Sequence, residues 1–145
     1  MEDMVSVRAV EGNGVQAEWE VEWKYSNEEF LLAVSKYGGG LIRTARGPDL
    51  FDAFCEIRRD LEGDGVRICV SGARIDAYPS GMTRDMGGGQ MVYLLRRRSV
   101  IGKLLRLPYL RPNKRAYIFS PAPCHLVGTV DEQRSFFERW MNHDL

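Results

Sequence analysis

Three observations predict an α+β fold in a single domain spanning residues 1–145, with an antiparallel or mixed sheet and two main helices packed on one face. Residues 5–9 and 15–23 alternate apolar and polar side chains at period two on either side of Gly12-Asn13-Gly14, the pattern of a half-buried hairpin. Within residues 48–62, Leu50, Phe54, Ile57 and Leu61 recur at helical spacing, with Phe51 beside them. Near the C-terminus Phe136, Phe137, Trp140 and Met141 form a second helical face, behind Thr129 and Glu132 at the spacing of a capping box.

The remaining elements follow in chain order. On the second strand Glu18, Glu20 and Glu22 share the wet face, opposite Trp19 and Trp23. Residues 30–34 are apolar but short, either a helical turn begun by Ser26 or a third strand. Gly38-Gly39-Gly40 breaks the chain ahead of a short strand at 41–44. Pro48 suits the first turn of the helix that follows, Asp49 complements its dipole, and Gly63 ends it, while Arg58, Arg59, Asp60 and Glu62 fill its polar side. Asp64-Gly65 turns into a strand at 66–70, and further strands are expected at 91–95 and 117–119. Between the last two lies a basic connection, 96–115, in which Pro108 and Pro112 forbid one long helix but leave room for a short one at 99–105.

The formal net charge is zero, yet the charges are segregated. The first thirty residues hold eight acids against Arg8 and Lys24, whereas residues 93–115 hold eight basic side chains and no acid. Such blocks mark either a partner site or an acidic strand and a basic segment lying near each other in one sheet. No apolar run is long enough to cross a bilayer, and the acidic start MEDMVSVRAVEG speaks against a signal peptide. Cys55, Cys69 and Cys124 are odd in number and widely spaced, which points to free thiols and a cytoplasmic location.

The segment from Gly72 to Gly89, GARIDAYPSGMTRDMGGG, stands out for function. Ordering Gly87-Gly88-Gly89 costs entropy that a folded chain tolerates where no side chain would fit. The candidate ligand- or partner-binding residues are therefore Arg74, Asp76, Tyr78, Ser80, Arg84, Asp85, Gly87, Gly88 and Gly89. The glycines could offer backbone amides to an anion, but they run into a β-like stretch without the helix start, Lys-Ser/Thr pair or GxGxxG pattern of a phosphate loop. A wide loop held by internal pairs, Arg74 with Asp85 or Arg84 with Asp76, accounts for the same residues. Salt-bridged aspartates make poor proton shuttles.

No catalytic constellation emerges, and the sequence leans away from an enzyme. Ser80 lacks a G-x-S-x-G elbow, with no helix expected after it. Cys124 and His125 are adjacent and so point apart, which disfavours a nucleophile-base dyad. His125 and His143 are the only histidines and the cysteines are scattered, so neither a metal nor another cofactor is expected. Arginines interleave with Tyr93, Tyr109 and Tyr117 as in a nucleic-acid binder, but a neutral chain disfavours that role, and the admixed leucines fit a protein-binding surface better.

The 72–89 segment, together with PDLFDAFCEIRRDLE upstream and the tail from Glu132 to Trp140, resembles a set of small uncharacterised bacterial proteins from about position 40 onward. That resemblance brings no established activity and no residue roles. Small cytosolic α+β proteins with acidic and basic blocks often serve as immunity factors beside secreted toxins, an analogy at family level. The expectation is a non-enzymatic module that binds a protein partner. The alternative is a small-ligand protein or enzyme that grips a phosphate or carboxylate with Arg74 and Arg84. Self-association stays open.

Overall fold

The structure is a computed structural model that describes residues 2–96 and 114–142. Strands β1 (Glu2–Val10), β2 (Gln16–Ser26), β3 (Glu29–Lys36) and β4 (Leu41–Gly47) form a meander, and β5 (Arg67–Ile68) joins the free side of β1, giving the antiparallel order β4-β3-β2-β1-β5. Helix α1 (Leu50–Gly63) packs on this sheet. Short strand β6 (Ala77–Tyr78), helix α2 (Gly81–Gly87), β7 (Met91–Leu94) and β8 (Lys114–Tyr117) follow. The order β6-β7-β8 makes a second antiparallel sheet, and α3 (Val130–Met141) lies against it.

Register explains the core. Val5 faces Val21, Val7 faces Trp19 and Ala9 faces Ala17 across β1 and β2, so the apolar sets share one face. Trp19, Val21, Trp23, Leu32 and Val34 are buried there, while Glu18 and Glu22 stand exposed on the other side. Leu50, Phe51, Phe54, Ile57 and Leu61 of α1 complete the core, each contributing about 1.5–3 kcal/mol on burial. Residues 30–34 belong to a strand, and the reason is the preceding turn. Asn27 and Glu28 both adopt positive φ, 52° and 64°, which makes a two-residue hairpin instead of a helix start.

Several expectations are corrected. Cys69 and Cys124 form a disulfide, with Cα atoms 4.9 Å apart, and only Cys55 is a buried free thiol. The extended stretch expected at 66–70 is a strand only at β5; Val70 makes an isolated antiparallel bridge to Pro121 and then enters a 3-10 turn at Ser71–Ala73. The strand expected at 117–119 lies earlier, at β8, which carries Lys114 and Arg115 in the small sheet and not in the sheet of the acid-rich β2, although Tyr117 packs against Trp23 with ring centroids 6.2 Å apart. The short helix expected at 99–105 falls outside the described residues, as does most of the basic connection. Among the described residues no helix is long and apolar enough to cross a membrane.

Arg58 is not on the polar side of α1. It is 4% exposed, with its guanidinium donating to Gln133 Oε1 at 2.6 Å and to the Gly128 carbonyl at 2.9 Å. Gln133, 1% exposed, donates through Nε2 to the carbonyls of Gly72, Arg74 and Ala77 at 2.8, 2.9 and 2.8 Å. One amide thus ties α1, the turn before β6 and α3 together. Burial pushes the Arg58 pKa down, against opposing pulls from Cys55 and Glu62.

Candidate functional site

The 72–89 segment is folded throughout. The 3-10 turn at Ser71–Ala73 brings Gly72 against Ile118, whose side chain and carbonyl occupy the space a Cβ would need. Arg74 then clasps Asp76 in a bidentate pair, Nε to Oδ1 and Nη2 to Oδ2, both 2.8 Å. This pair, not one with Asp85, raises the Arg74 pKa. Two residues apart on an extended turn, Arg74 and Asp76 reach each other without help from the rest of the chain. Tyr78 pairs with Tyr93 across β6 and β7 and stacks on Phe137 of α3 with ring centroids 4.1 Å apart. Burial pushes its phenol pKa up.

Ser80 begins α2, contrary to the expectation of a loop. Its hydroxyl oxygen accepts from the Thr83 amide at 3.1 Å, the N-cap arrangement, and donates to Thr83 Oγ1 at 3.3 Å. The serine therefore does stand at a strand-turn-helix junction, with its oxygen committed to capping. Cys124 is bonded to Cys69, which removes the Cys124-His125 dyad.

Arg84 points back to α1 instead of to Asp76. Its Nη1 lies 3.4 Å from Asp52 Oδ1 and 3.9 Å from Asp49 Oδ2, and the guanidinium sits over the rings of Phe51 and Tyr78 at 5.0 and 5.6 Å. Asp49 is the N-cap of α1, accepting from the Asp52 amide at 2.8 Å. Desolvation raises its pKa, opposed by that hydrogen bond and by Arg84. Asp85 is exposed on α2.

The triple glycine closes α2 against α1. Gly88 takes the left-handed conformation at φ 65° as the C-cap, and its carbonyl accepts from the Leu50 amide at 2.7 Å. A Cβ there would lie 2.6 Å from the Phe30 ring, and one on Gly89, at φ 72°, would lie 2.9 Å from Asp49 Oδ1. Gly87 has nothing within 4 Å of a Cβ. The expectation of space too small for a side chain holds for the second and third glycines, not the first.

Two surfaces result. On the outside of α2, Met82 and Met86 are 71% and 84% exposed, and Met86 borders a groove of about 510 Å³ lined also by Tyr25, Phe30, Pro48 and Met91. On the other side of Arg84 lies a cleft of about 390 Å³ between α1, the end of β4 and α3. Phe51, Cys55 and Tyr78 are among its lining residues, and burial pushes the Cys55 thiol pKa up, away from nucleophilic character. A further hollow, about 680 Å³, is lined by residues of β1 and β2, by Cys69 and Val70 and by residues between 119 and 123, and contains none of the candidate residues. Neither the cleft nor Gln133 was legible as functional, since the contributing residues are scattered from position 46 to 134.

Measured against known proteins, the chain matches no family model and no curated sequence at a significant level.

Proposed function

We propose that the protein is a non-enzymatic interaction module that engages a protein partner through the exposed face of α2, the kind of contact an immunity factor makes with its toxin. One observation carries this reading. Three polar side chains of the 72–89 segment are taken up internally, Arg74 by Asp76, Arg84 by Asp49 and Asp52, and Ser80 by capping, while Met82 and Met86 stand in solvent four residues apart. Methionine adapts its shape to a partner, and two on adjacent turns, of which Met86 lines a groove with Tyr25, make an apolar anchor point. Asp85 lies exposed between them in sequence, and Tyr25 belongs to the acid-rich first thirty residues, so the matching partner surface carries an apolar side chain flanked by basic groups.

The alternative, a loop gripping phosphate or carboxylate with Arg74 and Arg84, has less support because each guanidinium already faces a carboxylate. Cytoplasmic placement loses its free-thiol support to the Cys69–Cys124 bond, since disulfides persist mainly in oxidising compartments. The test is capture from the native host with wild type and with the double substitution Met82→Glu, Met86→Glu. A stoichiometric protein retained by wild type and lost by the double variant, with unchanged melting, is the expected result. Absence of any such partner, or equal capture by both, refutes the reading.

A further inference from the structure

Beyond the α2 face, we infer that the cleft between α1, the end of β4 and α3 binds a compact phosphate-type dianion, held by Arg46, Arg59 and Arg134. Four arginines line this cleft, those three and Arg84, against two acidic residues, Asp52 and Glu56. The positive groups come from different elements: Arg46 ends β4, Arg59 projects from the middle of α1, Arg84 from α2 and Arg134 from the first turns of α3. Donors arriving from several directions suit the oxygens of a tetrahedral dianion, whereas a planar carboxylate is served by one or two guanidinium forks.

The internal pairing differs among the four. Arg84 is held by Asp52 and Asp49 and by the rings of Phe51 and Tyr78, so it contributes fixed positive potential to the wall without being free to grip. Arg46 lies 3.9 Å from Glu29 and Arg134 lies 3.4 Å from Glu138, with all four side chains roughly half exposed or more. Exposed pairs of this kind have little net strength and yield readily to a dianion. Phe51 and Tyr78 supply an apolar wall, and the cleft is large enough for a phosphate group with a small organic substituent.

The site is distinct from the methionine face, so the two readings fail separately. Thermal melting and calorimetric titration with inorganic phosphate, phenyl phosphate and succinate, each against sodium chloride at equal ionic strength, test it. Both phosphates are expected to raise the melting temperature above the chloride control and to give saturable heats. The double substitution Arg59→Gln, Arg134→Gln, at exposed positions, is expected to weaken that binding on the order of a hundredfold, about tenfold for each guanidinium. Met82→Glu, Met86→Glu is expected to leave it unchanged. No phosphate-specific stabilisation, an undiminished response in the arginine double variant, or an equal response to succinate overturns the assignment.

Discussion

Replacing Gln133 by leucine keeps most of the side-chain volume while removing the polar interactions that fasten α3 to the turn before β6. The amide accepts from the Arg58 guanidinium at 2.6 Å and offers its two hydrogens to three carbonyls at 2.8–2.9 Å. A hydrogen bond to a charged group contributes about 1.5–3 kcal/mol and a neutral one about 0.5–1.5 kcal/mol, so removing all of them costs about 4 kcal/mol. Added apolar burial by leucine returns about 1 kcal/mol, leaving a net destabilisation of about 3 kcal/mol. Urea unfolding followed by circular dichroism reads this as a midpoint lowered by about 1–2 M at unchanged slope. Gln133→Glu is the informative companion, because it keeps an acceptor for Arg58 but turns an oxygen toward the carbonyls of Gly72, Arg74 and Ala77. A destabilisation below about 1 kcal/mol for leucine, or wild-type stability for Gln133→Glu at neutral pH, refutes the role given to the amide.

Gly88→Ala and Gly89→Ala each place a Cβ on a positive-φ residue against Phe30 or Asp49 and are expected to cost about 1–3 kcal/mol in chemical denaturation, whereas Gly87→Ala, with open space and a helical position, is expected to gain about 0.5–1 kcal/mol. Glu28→Gly relieves a left-handed non-glycine residue and is expected to stabilise by about 1 kcal/mol in the same assay. Reduction, or Cys124→Ser, opens a link between residues 55 apart in sequence and lowers stability by about 4 kcal/mol on the chain-entropy account, seen as a lower melting temperature with reductant. Thr129→Ala removes the cap of α3 at a cost of about 1 kcal/mol. Glu132 has its pKa held below the ordinary value, first by the Thr129 amide. Its contribution is therefore present above the ordinary glutamate range and lost as pH falls through the lowered folded value, and Glu132→Gln should flatten that acid limb of a stability profile.

The elements that were legible in the residues are those whose pattern is repeated several times over. Alternation across the first hairpin, helical spacing in α1 and the Thr129–Glu132 box each involve many side chains that agree. Helix α2 escaped because none of its residues is buried, so it has no apolar stripe, and its boundaries rest on Ser80 and Gly88 alone. The third strand was ambiguous because its hairpin uses Asn27 and Glu28, without the glycine that normally announces such a turn. For the site, the importance of the 72–89 segment could be read, but its pairings could not. Arg74 found the aspartate two residues away, and Arg84 found acids at the start of α1, a proximity that sequence spacing does not encode. Spacing alone assigns Arg58 to the polar side of its helix and draws no notice to Gln133, since burial of a polar group depends on carbonyls that only the assembled turn presents.

The amide that satisfies Arg58 lies 75 residues further along the chain. At ribosomal speeds of about 5–20 residues per second, roughly 4–15 seconds separate the making of the two. For that interval a cation destined for the interior keeps its hydration shell, and α1 cannot seal fully onto the strands already made. Complete satisfaction of the buried Arg58 guanidinium therefore has to await synthesis of α3, even though the Gly72 and Ala73 carbonyls are made soon after α1.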